Sequence, residues 1–172
     1  MPAEKISLDQ AKQDKLFYVV ANVIIYRNDG KCLILKRHER EIVHPKKYCV
    51  PGGKLEWRNL PLDRPTRVNG EVLDYQDVVE NLLFREALEE SGIEIDLEKG
   101  LKYINSVGFI RPDGIPVLLV KFAAHYKQGK VMLEEGSFTD YAWVDEKEVD
   151  NYDCIEGIQE EVKEAIRLFN RK

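Results

Sequence analysis

Between Arg85 and Gly92 the chain reads REALEESG, one arginine and three glutamates in eight residues. Carboxylates this close together can hold a cation or exchange protons. On an ideal helix, at about 100° per residue, Val78, Leu82, Val79 and Leu83 fall near 0°, 40°, 100° and 140°. Glu89, Glu86 and Glu90 fall near 20°, 80° and 120°, so the acids continue the apolar stripe, while Phe84 and Leu88 lie on the far side. This pattern predicts a helix covered on both faces, its carboxylates away from an ordinary solvated face. Two effects oppose it: like charges at i,i+3 and i,i+4 repel by ~0.2–0.5 kcal/mol per pair, and acids in a last turn meet the negative end of the helix dipole. Arg85, four residues before Glu89, can neutralise one carboxylate. The cluster calls for a further cation, and hard carboxylate oxygens select Mg²⁺ or Mn²⁺ over softer metals. A solvated acidic surface helix is the plain alternative for the same residues. Gly92 supplies the left-handed stop.

The elements around this helix must position it. FYVVANVIIYRNDGKCLILKR reads as two β-branched strands joined by an NDG turn. KYCVPGGKLE reads as a short strand ended by Pro51 and the pair Gly52–Gly53, where the backbone can turn tightly and approach a ligand closely. LKYINSVGFI and IPVLLVKFAAHY, joined by RPDG, and then DYAWV are further strands. Ile155, Ile158, Val162, Ile166 and Phe169 recur at helical spacing and predict an amphipathic C-terminal helix. SLDQ at Ser7 to Gln10 has capping-box spacing and predicts a short N-terminal helix. Strands, helix, strands, helix favour a mixed sheet covered on its faces over a regular βαβ series. Trp57 to Asp74, rich in Pro, Asn and Arg, reads as an irregular loop that lines or lids a pocket.

At 172 residues the chain fits one domain, with 1–15 as an N-terminal extension. The longest apolar run, Leu16 to Ile25, is too short for a membrane span, and no basic, hydrophobic leader opens the sequence, so a cytoplasmic protein without a membrane partner is expected. Cys32, Cys49 and Cys154 are odd in number and far apart, which suggests free thiols. The net charge of −5 argues against non-specific nucleic-acid binding. Lys31 to Arg67 holds ten Lys and Arg against four Asp and Glu, locally +6, leaving −11 for the rest. A basic lobe beside an acidic helix suits a polyanion bound together with a metal ion, and exposed lysines on a half-solvated sheet give the same count. Arg37 and Arg40 are candidates to meet phosphate, and Tyr48 and Trp57 to stack on a base; such residues equally suit sheet edges and loops. His38, His44 and His125 are isolated and read as surface or core residues.

GGKLE at 52–56 together with REALEESGI at 85–93 resembles the two ends of the Nudix box, G-x5-E-x7-R-E-U-x-E-E-x-G-U, where U is aliphatic. Gly53 matches the first glycine, Arg85 and Glu86 the R-E pair, Ala87 the internal aliphatic position, Glu89 and Glu90 the E-E pair, and Gly92 and Ile93 the end. The box normally spans 23 positions; Gly53 to Ile93 spans 41, an insertion of 18 that the loop at 57–74 explains. Counting back from Arg85 puts Asp77 where the family has its first glutamate, a shorter acid suited to capping the helix. The resemblance implies an α/β/α sandwich around a mixed β-sheet. It implies hydrolysis of a phosphoanhydride bond in a nucleoside diphosphate linked to another moiety, with Mg²⁺ or Mn²⁺ bound by Glu86, Glu89, Glu90 and Glu56. Arg85 would hold the carboxylates in place. A glutamate from the box, such as Glu86, or one from a later loop, with Glu135 preferred to Glu134, would take the proton of the attacking water. A Nudix-fold ligand sensor without turnover is the second reading, and isoprenoid diphosphate isomerase the third, since Cys49 in KYCVPGG lacks that group's surroundings. Gly108 stands where ADP-ribose hydrolases carry a proline. A homodimer is compatible with the sequence.

Overall fold

The computed structural model describes residues 12–171, so the expected helix at Ser7 to Gln10 lies outside the described residues. The NDG hairpin forms as expected: β1 (Tyr18–Arg27) and β2 (Lys31–Arg37) are antiparallel, with Gly30 at φ +85° closing the turn. β3 (Tyr48–Cys49) pairs with β2, and β4 (Gly52–Lys54) pairs antiparallel with β1. Here the glycine pair departs from the expected tight turn. Gly52 and Gly53 are strand residues registered with Asn22 and Ala21, and neither has a positive φ. Their missing side chains serve close approach instead. A Cβ at Gly52 would lie 2.5 Å from the Ala21 carbonyl oxygen and collide with the Asn22 side chain.

The stretch 57–74 is more ordered than its composition suggests. A 3₁₀ turn covers Trp57–Asn59, and β5 (Arg67–Asn69) and β6 (Val72–Asp74) form a separate two-stranded hairpin around Gly70, φ +63°. Asn69 pairs with Val72, so Gly70 opens a two-residue loop, Gly70-Glu71, a Gly-first hairpin signal that the Pro- and Arg-rich surroundings obscure.

α1 (Val78–Ser91) follows, then β7 (Glu94–Ile95), β8 (Lys102–Ile110), β9 (Pro116–Gln128), β10 (Phe138–Val144) and α2 (Ile158–Asn170). α2 starts three residues later than its apolar spacing suggests, because Ile155 precedes the left-handed Gly157 (φ +95°) that opens the helix. In the main sheet the order is β10-β2-β1-β9-β7, with β8 on β9; β1 and β9 run parallel and the other pairs antiparallel. This is the expected mixed sheet, and a helix covers each face. Alternation along β1 and β2 sorts the core. Ala21, Val23, Ile25, Leu33 and Leu35 pack with Leu82, Leu83 and Ala87 of α1. Ile24, Tyr26, Cys32 and Ile34 pack with Ile158, Val162 and Ile166 of α2. Each fully buried aliphatic side chain contributes about 1.5–3 kcal/mol, enough to fix both helices on the sheet. The α2 side also buries one ion pair, Lys121 with Glu161, and Glu161 Oε2 has no partner among the described residues. No described helix is long and apolar enough to cross a membrane.

The carboxylate helix is less covered than the wheel predicts. Phe84 packs partly against the core, but Leu88 is 43% exposed, on the opposite side of the helix from the buried Leu82 and Leu83, while Ala87 and Ser91 in the same turns are fully buried. Asp77 occupies the N-cap position without a side-chain capping bond; at φ 55° it contributes its carbonyl, which accepts the Asn81 N–H at 2.9 Å.

Candidate active site

α1 lies across β4, and the two meet through the glycine pair. Gly52 N–H donates to Glu90 Oε2 at 3.0 Å. A Cβ at Gly53 would fall 2.7 Å from both Glu86 carboxylate oxygens, so glycine there leaves the space that this carboxylate fills. Arg85 Nη2 donates to Glu86 Oε1 at 2.8 Å, and its Nε stands 3.9 Å from Glu89 Oε1. Arg85 therefore grips Glu86 more closely than Glu89, the pair that i,i+4 spacing favours. Glu86 is largely covered, with 17% of its side chain exposed, whereas Glu89 at 56% faces solvent. The helix ends at Gly92, φ +69°, whose N–H donates to Leu88 O at 2.9 Å; a Cβ there would lie 2.9 Å from the Lys130 carbonyl oxygen.

Glu90 carries the strongest perturbation in the cluster. Desolvation, reinforced by the charges of Glu86 and Glu134, pushes its carboxyl up to about 8, against the opposing pull of the Gly52 N–H and Arg37. The loop after β9 runs beside the end of α1: Met132 N–H donates to Ser91 O at 2.9 Å and Glu134 N–H to Glu90 O at 3.1 Å. Glu134 thus acts on Glu90, and its neighbour Glu135 does not figure among the groups that do.

Glu56, Glu86 and Glu89 line one open cleft of about 440 Å³ together with Lys54, Arg58 and Arg85. Among the described residues no three His, Cys, Asp or Glu side chains converge at metal-holding distance. The donor set nonetheless suits a hard divalent cation, since Mg²⁺ takes one or two carboxylates and completes its shell with water and substrate phosphate. Glu90, costly to ionise alone, is the group a cation would relieve most.

A family model, the NUDIX domain, matches residues 16–166. The chain belongs to the Nudix family. It is a hydrolase of the Nudix class. No curated protein sequence matches it. The MutT protein of Methanosarcina mazei Go1 superposes with a TM-score of 0.62 at 18% identity, over 93% of this chain and 100% of that one. A NUDIX-family hydrolase from Clostridium perfringens gives 0.63 at 17%, covering 90% and 99%. The NUDIX domain of Shewanella oneidensis NrtR, complexed with ADP ribose, gives 0.63 at 12%, covering 95% and 96%. At these identities the likeness speaks for the fold.

The two halves of the Nudix box, 32 residues apart in sequence between Gly53 and Arg85, meet in space despite the insertion. The other residues singled out in the sequence scatter. Tyr48 is a correction: at 8% exposure it is packed edge-on against Tyr152 in the α2 core, with its hydroxyl donating to Asp140 Oδ2 at 2.6 Å, so it cannot stack on a base. Arg37 acts electrostatically on Glu90, but its guanidinium already donates to Glu41 Oε2 (2.6 Å) and the Val43 carbonyl (3.0 Å). Arg40 and Trp57 are exposed and lie outside the cleft lining. Lys54, Arg58 and Asn59 line the cleft, and sequence reasoning alone misses them. Adjacency to Gly53 is the available signal for Lys54; nothing local marks Arg58 or Asn59.

Proposed function

We propose that the chain hydrolyses a phosphoanhydride bond in a nucleoside diphosphate linked to a second moiety, with Mg²⁺ or Mn²⁺ held by Glu86, Glu89, Glu90 and Glu56. The observation that carries this reading is the junction of β4 with α1, where Gly52 donates to Glu90 and the bare Gly53 accommodates Glu86. That junction forms one wall of a cleft that also offers Lys54, Arg58 and Arg85, so acids for a cation and cations for a polyanion share one opening. Both charges are needed, because the oxygens of a diphosphate repel a nucleophile until their charge is neutralised. A bound divalent cation neutralises that charge and acidifies a water.

The side chains divide the remaining work. Arg85 holds Glu86 in one rotamer, and Lys54 and Arg58 orient phosphate oxygens. Glu86 is the proton acceptor we assign within the box. From the loop, Glu134 is better placed than Glu135 to tune the cluster, through its charge on Glu90.

The test is hydrolysis of a nucleotide panel in ¹⁸O-water followed by phosphorus NMR, for the native chain and Glu89→Gln. Glu89 is exposed, so the substitution leaves the fold intact while lowering Mg²⁺-dependent turnover by orders of magnitude. Tight ligand binding with no turnover on any diphosphate would replace the enzyme by the ligand-sensor reading.

A further inference from the structure

The segment between β4 and α1 encloses a second cavity, of about 170 Å³, against the start of the helix. Glu56, Asn59 and Arg85 line both this cavity and the carboxylate cleft, so the two spaces adjoin on either side of these residues. Their chemistry differs. The cleft adds Lys54, Arg58, Glu86 and Glu89 to the shared residues; the cavity adds none with a charge. Leu60 and Tyr75 give it apolar walls, and Gln76 and Asn81 add neutral amides that both donate and accept.

The cavity is a built wall. Tyr75 Oη donates to Leu62 O at 2.9 Å, Gln76 N–H to Thr66 Oγ1 at 3.1 Å, and Thr66 N–H to Asp74 O at 2.8 Å. These bonds tie the β5–β6 hairpin and the chain before it into one frame, and they orient the Tyr75 ring toward a fixed position. A phosphate would find no cation of its own here, since Arg85 is already spent on Glu86. An apolar cavity of about 150 Å³ accommodates a benzene ring, so this one matches a single six-membered ring and is too small for a whole nucleoside. Amides beside apolar walls suit a ring with hydroxyls at its rim and C–H groups on its faces.

We propose that this cavity, built by the inserted segment, is the subsite for the uncharged group linked to the diphosphate, and that this group is a glycosyl ring. The inference rests on the hydrolase reading of the adjoining cleft. It gives the 18-residue insertion a role in recognition, in which the diphosphate lies in the charged cleft and the sugar in the adjoining cavity, whose own residues beyond the shared Glu56, Asn59 and Arg85 are uncharged.

Steady-state hydrolysis and calorimetric binding are measured with UDP-glucose, GDP-mannose and ADP-ribose against ATP and diadenosine tetraphosphate. At least one sugar nucleotide should exceed ATP and diadenosine tetraphosphate, whose only sugars belong to nucleosides, about tenfold in kcat/KM. Asn81→Leu and Gln76→Leu, both at exposed positions, should each reduce that preference about tenfold, mainly through KM. A purely structural role would change all substrates alike and leave the ratio untouched, which overturns the proposal. Hydrolysis confined to ATP or the dinucleotide, with no binding of sugar nucleotides, overturns it too and leaves the hydrolase reading standing. Sugar nucleotides bound with Asn81-dependent affinity but never hydrolysed would retain the subsite and remove the hydrolase reading.

Discussion

Glu90→Gln should stabilise the protein at alkaline pH while impairing hydrolysis, because the native carboxyl is held where ionisation is unfavourable. Desolvation by the surrounding core, together with Glu86 and Glu134, raises the group from 4.5 to about 8. An acid raised on folding makes the folded chain bind the proton more tightly than the unfolded chain does. Stability therefore falls as pH rises from about 4.5 towards 8, and levels off above that. The gap sets a ceiling of about 5 kcal/mol; relaxation and water access reduce the expected loss to about 2–4 kcal/mol. Glutamine keeps an oxygen to accept the Gly52 N–H and carries no charge. Urea and thermal unfolding, in EDTA to exclude divalent cations, should find the two proteins alike at pH 5. At pH 8.5 the variant should be ahead by about 2–4 kcal/mol, or about 4–16 °C in Tm for a domain of this size. Parallel pH profiles, or a variant less stable at pH 8.5, would refute the reasoning.

Two further outcomes separate fold from site. Gly52→Ala sets a methyl 2.5 Å from the backbone oxygen of Ala21, which cannot move away, whereas the nearest atoms to a methyl at Gly53→Ala are those of the Glu86 carboxylate, its oxygens at 2.7 Å, which can. Thermal unfolding should place Gly52→Ala about 1–3 kcal/mol or more below the native chain. Gly53→Ala should stay within a few tenths and still lose activity at least tenfold, because it displaces Glu86; equal destabilisation of both variants contradicts this assignment. Lys121→Met leaves the buried Glu161 unpaired and should cost about 3–5 kcal/mol in urea unfolding. Lys121→Met with Glu161→Leu should recover most of it, and a single variant as stable as the native chain would show that the pair is not needed.

The sheet and both helices were legible because their signals are local: NDG and RPDG at turns, β-branched runs between them, and a 3.6-residue period in Ile158, Val162 and Ile166. Arg85, Glu86, Glu89, Glu90 and the glycines were legible for the same reason, as types at fixed spacing. Features set by distant packing were hidden. Whether Leu88 is covered depends on what packs on the outer side of α1, and whether Tyr48 is free depends on Tyr152, over a hundred residues away. The double glycine looked like a turn because positive φ and close approach both favour glycine, and only the register with Asn22 and Ala21 tells them apart. The cavity at 57–76 was hidden most of all: its polar lining comes from residues with no spacing in common, beside a hairpin whose turn glycine, Gly70, sat inside a Pro-rich stretch.

The most direct test of the central claim is the attack of ¹⁸O-water on a diphosphate substrate, followed by phosphorus NMR, for the native chain and Glu89→Gln side by side. Mg²⁺-dependent label is expected in one phosphate product of the native chain, with orders of magnitude less from the variant. Equal label from both proteins, or label from the native chain that is indifferent to Mg²⁺, would contradict the claim.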